Sequence, residues 1–262
     1  MYEHIKPTRS FDDLVKLVHI LRKECPWDRT QTPESIKDNL IEEAYEAVEA
    51  ITEKDDPELK KELGDLMLHV IFQSRMAEEK KAFELEDVIY AIQEKLIRRH
   101  PHVFKDTDVS DEHEVAQNWE SIKMKEGKKS VLDGVPIHLP ALIRAQRMQE
   151  KAANVGFDWP SSEEVFAKLE EELDEFHEEV KKGDREKAHE EFGDLLFSLV
   201  NLARRYHIDA EDALRSTNKK FQQRFQHIEK RLKEQEKPLS ETSLEEMDSY
   251  WNEAKKNGRL ES

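Results

Sequence analysis

Apolar residues between positions 36 and 51 fall at Ile36, Leu40, Ala44, Ala47, Val48 and Ile51. Steps of three and four keep them on one stripe of an α-helix, with polar residues around the rest. Leu59, Leu63, Leu66 and Val70 form a second stripe. Asp56-Pro57 ahead of it predicts an N-cap followed by proline at the first helical position. Further along, "LEEELDEFHEEV" (169–180) has seven acidic residues among twelve, yet its leucines, Phe176 and Val180 keep helical spacing. Gly183 is placed to end that helix in a left-handed cap, and Asp184 to open the next. Further helices are expected over 85–100 and 210–235. No segment reads as a convincing strand. The expected fold is all-α, built from helical hairpins that bury their stripes in bundles.

The pattern occurs twice. "LIEEAYEAVEAI" (40–51) aligns with "LEEELDEFHEEV" (169–180), and "KELGDLMLHVI" (61–71) with "EEFGDLLFSLV" (190–200). Both alignments shift the numbering by 129, as in 42 to 171 and 62 to 191. "EDVIYAIQEKLIRRH" (86–100) matches "EDALRSTNKKFQQRF" (211–225), "PWD" (26–28) matches "GFDW" (156–159), and "NWESIK" (118–123) matches "YWNEAK" (250–255). A period this long is a duplicated domain rather than a solenoid. The expected organisation is an N-terminal domain over 1–125, a linker over 126–140 that contains "EGKKSVLDGVPIHLP", and a C-terminal domain over 141–262.

Composition narrows the function classes. Charged residues make up 39% of the 262-residue chain and the formal charge is −17. A field of that sign repels nucleic acid and anionic lipid, so neither a stable nucleic-acid complex nor a membrane contact is expected. It admits a small anion that arrives with a cation. The single cysteine, Cys25, excludes an intrachain disulfide framework and fits a reducing compartment. The N-terminus has no apolar leader region, and no run approaches the ~18 apolar residues of a membrane span. The expected location is cytoplasmic.

The acidic residues carry the chemistry. Glu42, Glu43 and Glu46 fall on one helix of the first copy, Glu62 and Asp65 on the next; Glu171, Glu172, Glu175, Glu191 and Asp194 repeat them in the second. Glu43/Glu46 and Glu62/Asp65 are i,i+3 pairs, so each pair shares a face. An antiparallel hairpin brings both pairs together as hard oxygen ligands, a donor set that suits Mg²⁺, with Mn²⁺ as a substitute. Gly64 and Gly193 lie inside the motif and are expected to let helices approach closely. One rival is an ordinary solvated acidic face, which does not need the same five carboxylates at the same spacing twice. A second is a di-iron bundle, which needs Glu-x-x-His on two helices. Glu186-x-x-His189 occurs once, and its counterparts are Pro57 and Lys60.

With E-E-x-x-E followed by E-x-x-D in both copies, and with "CPWDRTQT", "RRHPHVF" and "SVLDGVP" around them, the chain resembles the MazG family of nucleoside triphosphate pyrophosphohydrolases, in its tandem-domain bacterial form. The likeness runs from about Phe11 to Trp251. It implies Mg²⁺-dependent hydrolysis of NTP or dNTP to NMP and diphosphate, with broad specificity, in nucleotide-pool house-cleaning or stress-nucleotide control. It also implies a homodimer whose subunits complete each other's bundles. By the match, Glu172, Glu175, Glu191 and Asp194 ligate metal, and Glu171 serves a second ion or orients water. Lys168, Lys187, Glu190, Lys220, Arg224 and Trp251 join Glu171, Glu172 and Asp194 in holding nucleotide. Lys168 and Lys187 correspond to Asn39 and Glu58 in the first copy. The C-terminal copy is therefore expected to do most of the catalysis. The alternative reading is a non-catalytic helical module that senses nucleotide or metal.

Overall fold

The structure is a computed structural model that describes residues 2, 4–105, 112–127 and 129–257. Every regular element among them is helical. The chain falls into two compact units, Met1–Asp108 and Val109–Ser262. The first contains α1 (Phe11–Glu24), α2 (Pro26–Thr30), α3 (Lys37–Glu53), α4 (Asp56–Glu79), α5 (Leu85–Arg99) and α6 (Pro101–Phe104). The second contains α7 (Glu112–Lys125), α8 (Ala141–Ala153), α9 (Ser162–Lys182), α10 (Arg185–Arg205), α11 (Ala210–Glu234), a 3₁₀ turn at Leu239–Glu241, and α12 (Leu244–Asn257). These units are defined by packing, whereas the segments 1–125 and 141–262 are defined by repetition in sequence. No helix among the described residues is long and apolar enough to cross a membrane.

Each unit is organised around a helical hairpin, α3 with α4 and α9 with α10. Local chemistry sets the ends. Asp184 caps α10 by accepting the Lys187 N–H at 3.1 Å, and Ser161 caps α9 through the Glu164 N–H at 3.3 Å. The cap of α4 is Asp55, which accepts the Glu58 N–H at 3.1 Å. Asp56 is already helical, one residue on from the sequence expectation. Gly183 closes α9 at φ 74°, and its counterpart Lys54 closes α3 at φ 58°.

The buried apolar residues lie at equivalent positions in the two hairpins. Ile36 and Ile71 of the first unit correspond to Val165 and Val200 of the second, and all four are buried. In the first unit Val18 of α1 joins Ile36, Ile71, Phe72 and Met76 in one cluster. In the second, α8 packs against α10 and α11, and Ile228 and Leu232 of α11 are buried. Phe176 of α9 meets Phe192 of α10 with ring centroids 5.4 Å apart, which fixes the hairpin's register.

Much of each apolar stripe remains uncovered. Leu40, Val48, Ile51, Leu63 and Val70 are exposed, as are Leu173, Val180, Phe192, Leu196 and Leu199. The close helix approach expected at Gly64 and Gly193 does not occur among the described residues: a Cβ built on either meets no atom of theirs within 4 Å.

Gly183 and Lys54 provide a matched test of backbone strain, because a left-handed residue with a side chain costs about 1–2 kcal/mol relative to glycine. Gly183→Ala, with open space around its Cβ, is expected to lower stability by about 1 kcal/mol. Lys54→Gly is expected to raise it by a similar amount. Calorimetric melting of the two variants reads both effects.

Candidate functional site

The hairpins bring the acidic motifs together. Oxygens of Glu43, Glu46 and Glu62 lie within 4.8 Å of one another, and so do those of Glu172, Glu175 and Glu191. In each group two carboxylates come from the first helix, one turn apart, and the third from the antiparallel neighbour. Asp65 and Asp194 stand one turn further along and act through charge: Asp65 raises the Glu43 carboxyl and Asp194 the Glu191 carboxyl.

Burial makes the repulsion costly. Glu62 is 1% exposed and Glu172 is 5% exposed. In the first unit, loss of solvent and a hydrogen bond to Glu62 lead the causes that push Glu43 up from 4.5 to about 7, aided by the charges of Asp65, Glu46 and Glu62. Glu46 is raised too, by loss of solvent and then by Glu62. Glu62 is lowered, chiefly by its hydrogen bond from Lys61. Thus Glu43 keeps the proton and Glu62 the charge. In the second unit Glu191 is raised, first by desolvation and then by Glu175, Asp194 and Glu172.

Each unit sets one ammonium against its buried carboxylate, but from opposite helices. Lys168 of α9 pairs with Glu172 at 2.7 Å and Glu171 at 3.1 Å. In the first unit Lys61 of α4 pairs with Glu62 at 2.9 Å and Glu58 at 2.8 Å. The two hydrogen bonds raise the Lys61 ammonium, and the bond to Glu172 leads the causes that raise Lys168. Sequence reasoning counted two cations lost from the first copy and missed Lys61. Adjacency to Glu62 in the sequence was the available signal. A pair one residue apart on a helix is normally discounted, because neighbouring side chains point to different faces.

The remaining residues fall into two places. Lys187, in the first turn of α10, makes no ion pair among the described residues, and Glu42 and Glu190 are exposed. Arg224 lies 5.3 Å from the Trp251 ring, and Phe221 meets the same ring edge-on at 5.2 Å. With Lys220 they make a basic and aromatic patch on α11 and α12. Among the described residues no ion pair joins Lys220 or Arg224 to a carboxylate. The structure therefore brings Glu172, Glu175 and Glu191 together, with Asp194, Glu171 and Lys168 beside them. It leaves Lys220, Arg224 and Trp251 as a separate group.

An oxygen-only cluster of three carboxylates suits a hard divalent cation. Buried Glu62 fits the same need: Lys61 meets Oε1, and a proton held by Glu43, or a cation in its place, can meet Oε2.

Comparison with known proteins agrees with this geometry. A sequence family described as the MazG nucleotide pyrophosphohydrolase domain matches residues 31–104 and again 161–229. The nucleoside triphosphate pyrophosphohydrolase/pyrophosphatase MazG of Thermotoga maritima is 48% identical over 250 residues, covering 94% of this chain and 95% of that protein. The nucleoside triphosphate pyrophosphohydrolase of Escherichia coli K12 is 41% identical over 256 residues, covering 94% and 97%. In Bacillus subtilis YabN, a similar stretch with 48% identity spans 90% of this chain and 49% of that protein.

A carboxyl raised by folding binds a proton that the unfolded chain has already released. Stability therefore falls as pH rises from the ordinary value of 4.5 to about 7. EDTA-treated protein is expected to melt at a lower temperature at about pH 8 than at about pH 5, and Glu43→Gln to flatten that slope. Melting curves across this range check both.

Proposed function

The chain belongs to the MazG nucleotide pyrophosphohydrolase family, and on that premise we propose that its second hairpin hydrolyses nucleoside triphosphates to NMP and diphosphate with the help of Mg²⁺. The observation that carries this reading is the three-glutamate cluster, repeated across two hairpins with a lysine set against the buried member. A purely structural scaffold has no use for that spacing.

Glu172, Glu175, Glu191 and Asp194 would hold the metal. Bound there, Mg²⁺ would neutralise phosphate oxygens and the charge that builds up as water attacks the α-phosphorus. Lys168 fixes Glu172 and Glu171. Glu171 is the more exposed of the two, its side chain 56% accessible, and is positioned to orient the attacking water or take its proton. Lys187 sits in the first turn of α10, where the helix dipole favours an anion. Its ammonium is uncommitted and suits the departing diphosphate. Lys220, Arg224 and Trp251 offer a further phosphate-binding patch on α11 and α12, and Glu190, exposed on α10, joins the nucleotide contacts by the family resemblance.

The same reading includes a homodimer. Leu173, Val180, Phe192, Leu196 and Leu199 form exposed apolar surface on the catalytic hairpin. Contiguous surface of this kind commonly marks an interface, and a second copy would complete the bundle. Dimeric mass by light scattering at micromolar concentration supports this; a monomer refutes it. A cytoplasmic location follows from the nucleotide pool that such an enzyme serves, and its role is broad removal of aberrant or signalling nucleotides.

Incubation with mixed NTPs tests the reaction. NMP plus diphosphate, dependent on Mg²⁺, is expected; NDP plus orthophosphate refutes attack at the α-phosphorus, and no product favours the sensing module. Glu172→Ala is expected to lower turnover by about a hundredfold or more, and Glu43→Ala by much less. Equal losses would overturn the assignment of catalysis to the second unit.

A further inference from the structure

Each carboxylate cluster carries its own cation, and the two cations are held in the same way. In the first unit the Lys61 ammonium lies 2.9 Å from Oε1 of Glu62 and 2.8 Å from Oε1 of Glu58. In the second the Lys168 ammonium lies 2.7 Å from Oε1 of Glu172 and 3.1 Å from Oε1 of Glu171. One partner of each lysine is the buried member of its cluster. The other stands outside the cluster with its side chain open to water, Glu58 at 50% and Glu171 at 56%. Each ammonium is thus shared between an inner carboxylate, sealed from solvent, and an outer one that solvent reaches.

The two lysines are not counterparts. With the shift of 129 that relates the copies, Lys61 corresponds to Glu190 and Lys168 to Asn39. They also reach the buried carboxylate by different steps along different helices, Lys61 from the adjacent position of α4 and Lys168 from four residues earlier on α9. The arrangement is shared although neither lysine position is. It answers what the buried glutamate needs, because a sealed carboxylate without a counter-charge is costly.

A divalent cation makes its demand on the same atoms. The donor set fits one: three carboxylates from two helices, with oxygens within 4.8 Å of one another and no nitrogen or sulfur among them. A cation such as Mg²⁺ binds a carboxylate oxygen at about 2.1 Å. Beside an ammonium 2.9 Å from that oxygen, the two positive charges stand no more than about 5 Å apart, in a setting where burial weakens screening. Metal and ammonium therefore compete for the buried carboxylate. The outer glutamate resolves the competition: the lysine gives up the inner oxygen and keeps a counter-charge at the outer one.

We propose that Lys61 and Lys168 are built-in placeholders for the divalent cation: each ammonium neutralises its buried carboxylate until metal binds, then withdraws to Glu58 or Glu171. This rests on the reading of the clusters as metal sites. The hairpin is stable in both states, and the affinity for bare metal is tempered by the lysine that has to leave. Loading is correspondingly favoured for a cation that arrives with a polyanion, which offers the displaced ammonium a new partner.

Calorimetric binding of Mn²⁺ to the full chain without nucleotide, together with melting in EDTA and in saturating Mn²⁺, tests this apart from turnover. Glu175→Gln weakens the second cluster and leaves the first to be read; Glu46→Gln does the reverse. In these two backgrounds Lys61→Met and Lys168→Met, respectively, are expected to bind Mn²⁺ about tenfold more tightly than their parents and to melt lower in EDTA. Once saturated they are expected to melt with their parents, because an exposed pair with the outer glutamate contributes little. Lys61→Arg, which keeps the charge, is expected to retain the parent's affinity. A variant that folds only with Mn²⁺ supports the same reading. Unchanged affinity with melting lowered equally in both conditions overturns it and makes each lysine a structural ion pair. Weaker Mn²⁺ binding in the methionine variants also overturns it, and makes the lysines supports for the ligands. If affinity is unchanged while the wild type releases diphosphate from NTPs only with Mg²⁺, the placeholder role alone falls; absence of Mn²⁺ binding in every protein removes the metal reading with it.

Discussion

Carboxylates forced together across a helical hairpin are the constraint around which this protein is arranged. Two glutamates one turn apart on the first helix face a third on the second, and one member of each cluster is almost sealed from solvent. Charges of like sign in a low-dielectric setting repel strongly and lose hydration as well. Folding tolerates this only with counter-charge close by. Each unit supplies a lysine from within the hairpin, and in the first unit Glu43 relieves the remainder by holding a proton up to about pH 7. A divalent cation, bound as proposed, would relieve the same strain more completely and would tie the chemistry of the site to the stability of the hairpin.

The two copies solve that problem differently. The first buries Glu62 and neutralises it with Lys61 from α4; the second buries Glu172 and neutralises it with Lys168 from α9. Exchange of the buried carboxylate between helices leaves the cluster's outline intact but changes which groups remain free for phosphate. In the second unit Lys187 stands uncommitted in the first turn of α10, where the first unit has Glu58. The same divergence appears about four turns further along these helices, where Phe72 fills a core and Asn201 borders a cavity. Duplication kept the carboxylates, and with them Lys95, Arg99 and Trp119 opposite Lys220, Arg224 and Trp251, but varied the positions of Lys168 and Lys187.

The apolar stripes have a related logic. Only part of each stripe is covered within the chain: Ile36, Ile71, Val165 and Val200 are buried, while Leu40, Val48, Leu173 and Leu196 remain exposed. A hairpin with one additional packed helix cannot cover two full apolar faces, since short helices share a limited core. The uncovered remainder lies on the same two helices as the carboxylates. Association of chains, as proposed, would therefore cover surface next to the carboxylate clusters.

Sequence alone determined the hairpin helices, their ends at Gly183 and Asp184, and the duplication; it counted five carboxylates in each cluster, of which the structure brings three together, Glu43, Glu46 and Glu62 in one copy and Glu172, Glu175 and Glu191 in the other. These depend on spacing along one helix or on repetition, and both are local properties of the chain. It misplaced one cap by a residue, at Asp55, because two adjacent aspartates compete for the role. It expected close helix contact at Gly64 and Gly193, where the chain leaves open space. Tertiary structure decided which glutamate of each cluster is buried, that Lys61 answers Glu62, that Trp251 packs with Arg224 and Phe221 on α11 and α12, and that Gln149 reaches across to the Phe197 carbonyl. Those outcomes depend on the rotation and register of one helix against another, and side-chain burial across such an interface is not encoded in the period of either helix taken separately.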